Sequence, residues 1–345
     1  SNVTGGLVSV SSSGTVGDIT SEFVGNNVTV SSSDIAGAII YNEGQIDRIR
    51  GFFASNSAVS DTGNVRGAVI ANVGTIGTIE DAEFSDNLAI SNSGGVVAGA
   101  VFNTGAITGG IWNSKFSGNV AKSTSGQAKA GAIYTDSNLT VGAKDGGTTL
   151  FEGNYTDNGG VEKSSAIYVD NSRATLTVSA DENSSVIFKD AIDGVSEYSV
   201  ALTGDGTGTV FVHNTISNAN LSTSNVVVDM VDGVVRTYDL VSLDSAASST
   251  YRIDVDFDNL SSDKFVLSQN ASGTIYIDEL NVIGEMPTTA KSIQLVQTSN
   301  NAVTISIASA VADEYASTTT KTVAWADDVS ETMLWSDKYN SSVRT

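Results

Sequence analysis

The chain has 345 residues, 40% of them hydrophobic, and carries 39 Asp and Glu against 17 Lys and Arg, a net charge of −22. That apolar share supplies a buried core, whereas so acidic a surface excludes nucleic acid as a partner, because affinity for a phosphate backbone comes from Lys and Arg displacing counterions; anionic membrane surfaces are disfavoured for the same reason. Cysteine is absent and histidine occurs once, so disulfides, His-rich metal sites and multi-histidine mechanisms are excluded.

One proline, 34 glycines and abundant Ser, Thr, Asn and Val describe short strands between turns rather than long helices. The composition predicts an all-β protein. No run of about 20 apolar residues exists that could form a membrane-crossing helix. With neither an initiator Met nor a signal-peptide pattern, the expectation is a mature product or an excised piece of a longer precursor.

In chain order, the first recognisable phrase is "GTVGDITSEFVGN" from Gly14. It returns as "GQIDRIRGFFASN" from Gly44, "GTIGTIEDAEFSDN" from Gly74 and "GAITGGIWNSKFSGN" from Gly105. Each copy contains F-x-x-N at fixed depth: Phe23/Asn26, Phe53/Asn56, Phe84/Asn87 and Phe116/Asn119, with a fifth at Phe151/Asn154. After each Phe comes a small-residue pair and an aliphatic: Gly37-Ala38-Ile39, Gly67-Ala68-Val69, Gly99-Ala100-Val101, Gly131-Ala132-Ile133 and Ser165-Ala166-Ile167. A period near 30 residues is the mark of a solenoid, whose single unit cannot bury its apolar face alone. Stacked coils put Phe on Phe, Asn on Asn and each of these aliphatics on its counterpart at the ~4.8 Å spacing of neighbouring strands. The Asn is expected to take the left-handed backbone of a sharp corner and to form an amide ladder. The opening glycines are expected at other tight corners.

A helical repeat is disfavoured by the glycines in "GTIG" and "TGGI", at about 1 kcal/mol each inside a helix, and leucine is too rare for a leucine-rich repeat. The reading is a right-handed parallel β-helix of about a dozen coils, roughly 50–70 Å long at ~4.8 Å per coil. Two parts are expected: residues 1–225 as the β-helix, with clear repeats over 14–168 and irregular coils after, and 226–345 as further coils and a less regular C-terminal cap containing Trp325 and Trp335. Open solenoid ends expose strand edges, so an atypical end is needed.

The F-x-x-N elements "FVGN", "FASN", "FSDN", "FSGN" and "FEGN", with "AGAI", "RGAV" and "AGAV" in place of G-G-A-[ILV], resemble the repeats of the chlamydial polymorphic membrane proteins. That family belongs to the autotransporters, whose passengers are parallel β-helices. The stretch "YRIDVDFDNLSSDKFVLSQNASGTIYIDELNVIG" is similar to the final passenger coils that precede a membrane barrel. The resemblance covers residues 14–168 and, less specifically, 240–285. It implies a passenger displayed at the bacterial cell surface or secreted, associated with the outer membrane only through a translocator barrel not contained in this chain. It also implies adhesin-like binding of a host protein or glycan, by a monomer or a self-associating form.

Chemistry is sparse. "DVDFDN" begins like a calcium loop, making Asp254, Asp256 and Asp258 the candidate cation site and Ca²⁺ the one cofactor to consider. Position six is Asn259 instead of Gly, and Phe265 stands where the bidentate Glu belongs. The competing expectation is a half-buried strand in which Ile253, Val255 and Phe257 alternate with three exposed carboxylates. His213 in "GTVFVHN" reads as an ordinary strand residue and Trp112 as a core or flank residue. Parallel β-helices also host polysaccharide lyases and hydrolases, which need a convergent carboxylate group. Asp18, Asp47 and Glu83 lie at different depths of their units, so the expectation is a protein without enzymatic activity or catalytic residues. A structural surface-layer or filament component is the further alternative. Nine N-x-[ST] sequons, from Asn2 to Asn340, are what chance provides in so Asn/Ser/Thr-rich a chain. Ligand binding is expected on the flank built by the variable segments between F-x-x-N and the small pair, such as residues 57–66, 88–98 and 120–130.

Overall fold

A computed structural model of the chain describes residues 2–285, 291–300, 303–309, 311, 317–323 and 329–335. The protein is an all-β parallel β-helix, and residues 2–285 contain no helix. Trp325 lies outside the described residues, and Trp335 ends the strand Val329–Trp335.

The second coil shows how one repeat is laid down. Ile35–Ala36 is a two-residue strand; Gly37 turns the chain into Ile40–Asn42; Gly44 leads into the ten-residue Gln45–Ala54; Ser57–Ser60 completes the circuit. Each strand pairs in parallel with its counterpart one coil away, so that Phe53 lies between Phe23 and Phe84, and Ile70 between Ile40 and Val101. Four sheets result: a long sheet containing Gln45–Ala54, a second containing Ile40–Asn42, a third containing Ser57–Ser60 and a fourth containing Ile35–Ala36.

Three stacks hold the coils together. Phe23, Phe53, Phe84, Phe116, Phe151 and Phe188 stack with ring centroids 4.8–5.3 Å apart and planes within 14°, so the row continues one coil beyond the repeats legible in the sequence. Beside it, Asn26, Asn56, Asn87, Asn119 and Asn154 form a ladder. In each rung the Asn87 type of side chain donates to Asn119 Oδ1 at 2.9 Å and to the Phe53 carbonyl at 2.8 Å, while its own Oδ1 accepts from the Asn56 side chain and backbone N–H. Every polar atom of a fully buried amide is thereby satisfied, which is the condition for burying it at all. The left-handed corner residue is the one before the Asn: Gly25, Ser55, Asp86, Gly118 and Gly153 have φ of 53–69°. The recurring Asn is required for its amide, and its backbone φ is not positive.

Two further ladders were not legible as part of the repeat. Asn42, Asn72 and Asn103 pass side-chain hydrogen bonds along the second sheet to Thr135. Ser60, Ser91 and Ser123 each donate to a carbonyl of the previous coil and accept the N–H of the glycine three residues on.

The expected alignment of the small-residue elements is corrected by one residue. Val101 pairs with Ile70 rather than with Val69, because Ala98 and Ala130, with φ of 73° and 63°, take the left-handed place that Gly37 and Gly67 hold in earlier coils. The opening glycines answer to close approach: a Cβ on Gly74 would lie 2.3 Å from the Gly44 carbonyl oxygen.

Paired residues of neighbouring coils lie 30 to 37 positions apart through the Asn ladder, 18 to 25 apart in the coils that follow, and 26 to 31 apart where Lys264–Ile283 and the strands after it join. The fourth sheet ends at Val96–Val97, with a last bridge to Ala128, and the third ends in the antiparallel hairpin Tyr155–Asn158 with Val161–Ser164. The long sheet continues through both changes and across residue 225, to Lys264–Ile283 and Thr304–Ile307. Lys291–Asn300, Val329–Trp335 and Ser317–Val323 then pair antiparallel.

Candidate functional site

Successive strands of the long sheet bend two or three residues before the Phe, at Gly51, Asp81 and Asn113. Gly51 has φ 117°, and a Cβ there would meet the Ser21 carbonyl oxygen at 2.0 Å. In the next coil an extra residue is accommodated by a bulge between Ile79 and Ala82, with Asp81 at φ 49°, and Asn113 at φ 49° makes the bend after that. Stacked bends produce a trough of about 570 Å³ running along the solenoid axis across five coils, from Thr20 to Thr148.

The floor is made of small residues from successive coils, Ser21, Gly51, Ala82 and Ser114, and Thr149 holds the same position in the fifth. Two of the hydroxyls serve the frame: Ser114 Oγ accepts the Ala82 N–H at 3.2 Å and donates to the Trp112 carbonyl, and Thr149 Oγ1 accepts the Ser114 N–H. One wall is the outward row immediately before the Phe stack, Glu22, Phe52, Glu83 and Lys115, paired in register. The same row becomes Leu150, Ile187 and Phe211 in later coils. The inward Phe row is constant from Phe23 to Phe188, whereas this outward row changes at every step.

Charges around the trough are mostly tied down. Lys115 lies 3.6 Å from Glu83 and 3.9 Å from Glu152. Arg50 binds Glu80 and lies 3.9 Å from Asp81, and Arg48 spans Asp18 and Glu80 at 2.5 and 3.2 Å. Burial pushes the Glu80 carboxyl up, but hydrogen bonds from the two guanidiniums outweigh it and hold the group below its ordinary range. Among the described residues Glu22 has no hydrogen-bond or ion-pair partner, and the Asp81 side chain is 60% exposed.

The flank expected to bind is a regular surface. Residues 57–66, 88–98 and 120–130 form strands of the third and fourth sheets, Ser57–Ser60, Leu88–Ser91 and Val120–Ser123 among them, and the serine ladder fixes their turns. Val59, Leu88 and Ile90 are half-buried on its outer face. The trough lies on the neighbouring long sheet. Its sequence signal is the small residue two before each Phe, present in five copies and lost at Val186.

Aromatic rings elsewhere are committed to the frame. Trp112 is half-buried, donates its indole N–H to the Gly109 carbonyl and lies against Gly142 of the next coil. Phe102, Tyr134 and Tyr168 stack on one another outside the second sheet, and Tyr134 donates to Asp170 at 2.7 Å. His213 is half-buried beside Phe211 with its Nε2 unpartnered, and burial lowers its pKa.

The three carboxylates of "DVDFDN" do not share an exposed face, which corrects that expectation. Asp254 is fully buried: its Oδ2 accepts the N–H groups of Asp232, Gly233 and Val234, and its Oδ1 accepts from Asn281. Asp256 caps its own turn through the N–H groups of Asp258 and Asn259, and Asp258 is exposed. A residue beyond the motif, Asp263, joins Asp254: it accepts the N–H groups of Asp254 and Arg236, and burial pushes its pKa up to about 7. The alternation is broken because Asp254 replaces a loop's missing partners. Among the described residues no group of three or more His, Cys, Asp or Glu is arranged to hold a metal ion.

No family model matches this chain, and no curated protein matches it.

Proposed function

We propose that the protein is a binding solenoid of the autotransporter-passenger type, displayed at the cell surface or secreted, which engages a host protein or glycan through the trough on its long sheet and has no enzymatic activity. The observation that carries this reading is the division of labour within one strand. Phe and Asn rows hold a constant frame, and the adjoining outward row runs Glu22, Phe52, Glu83, Lys115 in register. A scaffold that repeats while one solvent-facing row varies is how repeat proteins present an extended recognition surface. The Ser114 and Thr149 hydroxyls on the floor are engaged by the frame, and Glu83 is paired with Lys115, an arrangement that favours binding over acid–base chemistry.

The test is a screen of the purified protein against glycan and matrix-protein arrays, with Ser21→Trp as a variant that plugs the trough at an exposed position of the first coil. Binding without turnover, lost in Ser21→Trp while the circular dichroism spectrum is unchanged, is expected. Binding that survives the plug moves the site elsewhere, and cleavage of an arrayed glycan identifies a lyase or hydrolase. Ordered assembly in sedimentation, with no ligand found, favours a surface-layer component.

A further inference from the structure

Resting on the trough as the binding site, we propose that its occupant is an extended polypeptide segment with two basic side chains three residues apart. The floor of small residues leaves room for a chain lying along the solenoid axis, across the strands. In that direction the protein repeats at the strand spacing, ~4.8 Å, so carboxylates two coils apart are separated by about 9.6 Å. Glu22 stands in the first coil, and Asp81 with Glu83 in the third. A polyproline II helix rises ~3.1 Å per residue with three residues per turn, which brings side chains i and i+3 to one face about 9.3 Å apart. The two periods coincide. A basic residue at i meets Glu22, which has no partner among the described residues, and one at i+3 meets Asp81 and Glu83.

Between them the segment passes Gly51 and Phe52. Gly51 puts no side chain into the trough, and the half-buried Phe52 ring offers an apolar surface to the two middle residues, the role aromatic side chains play in grooves that take proline-rich chains. The charge balance selects the same partner. Lys115 and Arg50 are engaged by Glu83, Glu152 and Glu80, so an acidic glycan finds no free cation there, while Glu22 has no partner among the described residues and Asp81, 3.9 Å from Arg50, keeps its side chain 60% exposed. The net charge of −22 raises the encounter rate with a cationic partner at low salt.

The experiment is fluorescence anisotropy with a labelled Gly-Lys-Pro-Pro-Arg-Gly peptide, compared with Gly-Lys-Pro-Arg-Gly, a neutral Gly-Ala-Pro-Pro-Ala-Gly and a heparin fragment. We expect saturable binding of the first, at least fivefold weaker binding of the shortened peptide, and at least tenfold loss in the isosteric Glu22→Gln/Asp81→Asn variant and on raising salt from 50 to 300 mM. Neither substituted residue belongs to a ladder, and circular dichroism checks that the variant folds. Equal binding of the neutral peptide, an undiminished affinity in the double variant, preference for the heparin fragment, or no binding of any basic peptide overturns the proposal. Failure here with array binding still lost in Ser21→Trp refutes only the cationic partner. Array binding that survives Ser21→Trp refutes the trough itself.

Discussion

The coils through Asp190 and those after it solve the same stacking problem with different chemistry. In the first set each corner buries an amide or a hydroxyl, and a buried polar group needs a partner at one position in the neighbouring coil. The Asn ladder therefore cannot drift. It ends at Asp190, whose carboxylate accepts the Asn154 and Gly153 N–H groups, the Asn154 side chain and the Ser164 hydroxyl, four bonds on an acceptor-only group. In the second set the stack is carried by apolar residues such as Val200, Leu221 and Leu243, paired in register and buried. Dispersion and apolar burial are not directional, so these positions accept any aliphatic of suitable size. Polar interior groups there are local, as in the Thr223, Ser245 and Tyr251 hydroxyl cluster. Directional contacts impose a sequence repeat, and non-directional ones leave only a texture.

That contrast can be broken by substitution. Phe116→Ala removes a ring from the middle of the stack and is expected to cost about 3–5 kcal/mol, measured by denaturant unfolding. Asn87→Ala strands the Asn56 backbone and side-chain N–H groups and the Phe53 carbonyl; at about 1–3 kcal/mol per orphaned group, partly relieved by relaxation, a loss of about 2–4 kcal/mol is expected. In the later coils Leu221→Met should change stability by less than about 1.5 kcal/mol. An equal loss for Asn87→Ala and Leu221→Met is incompatible with the distinction between directional and apolar stacking.

Acid–base behaviour sharpens the comparison. Burial raises Asp263 from 3.8 to about 7, so the folded state retains a proton that the unfolded chain releases. The resulting stabilisation is fully present below about pH 4 and is lost as pH rises through about 7. The melting temperature of the protein should therefore decline over that window relative to Asp263→Asn, which keeps a neutral acceptor in place. Parallel profiles of the two proteins would remove the buried Asp254–Asp263 pair as a source of pH dependence. The smallest effect is expected at the surface: Lys163→Ala, which removes an ion pair to Asp193 from a side chain 65% exposed, should cost less than about 1 kcal/mol.

By itself the sequence determined that the chain is a β-solenoid, where its first five coils begin, and which Phe and Asn residues stack, because amide hydrogen bonds are directional and stacked aromatic rings have a preferred geometry of their own, so both rows repeat in plain letters. The small residue two before each Phe was equally visible, but nothing local states that it is a floor; that depends on bends in five coils adding into one trough. Only the tertiary structure decided that the left-handed corner precedes the Asn, since Gly25, Ser55 and Asp86 share a conformation without sharing a side chain. It also decided that the aligned aliphatics are Ile70 and Val101, a shift made by Ala98 in a glycine's place. Asp254 shows the same limit most clearly. Its alternating neighbours specify a strand with an exposed carboxylate, yet backbone N–H groups from Asp232, Gly233 and Val234, some twenty residues earlier, draw it inside. A pattern of period two reports which way a side chain points only when the neighbouring coil leaves no unpaired donor behind the strand.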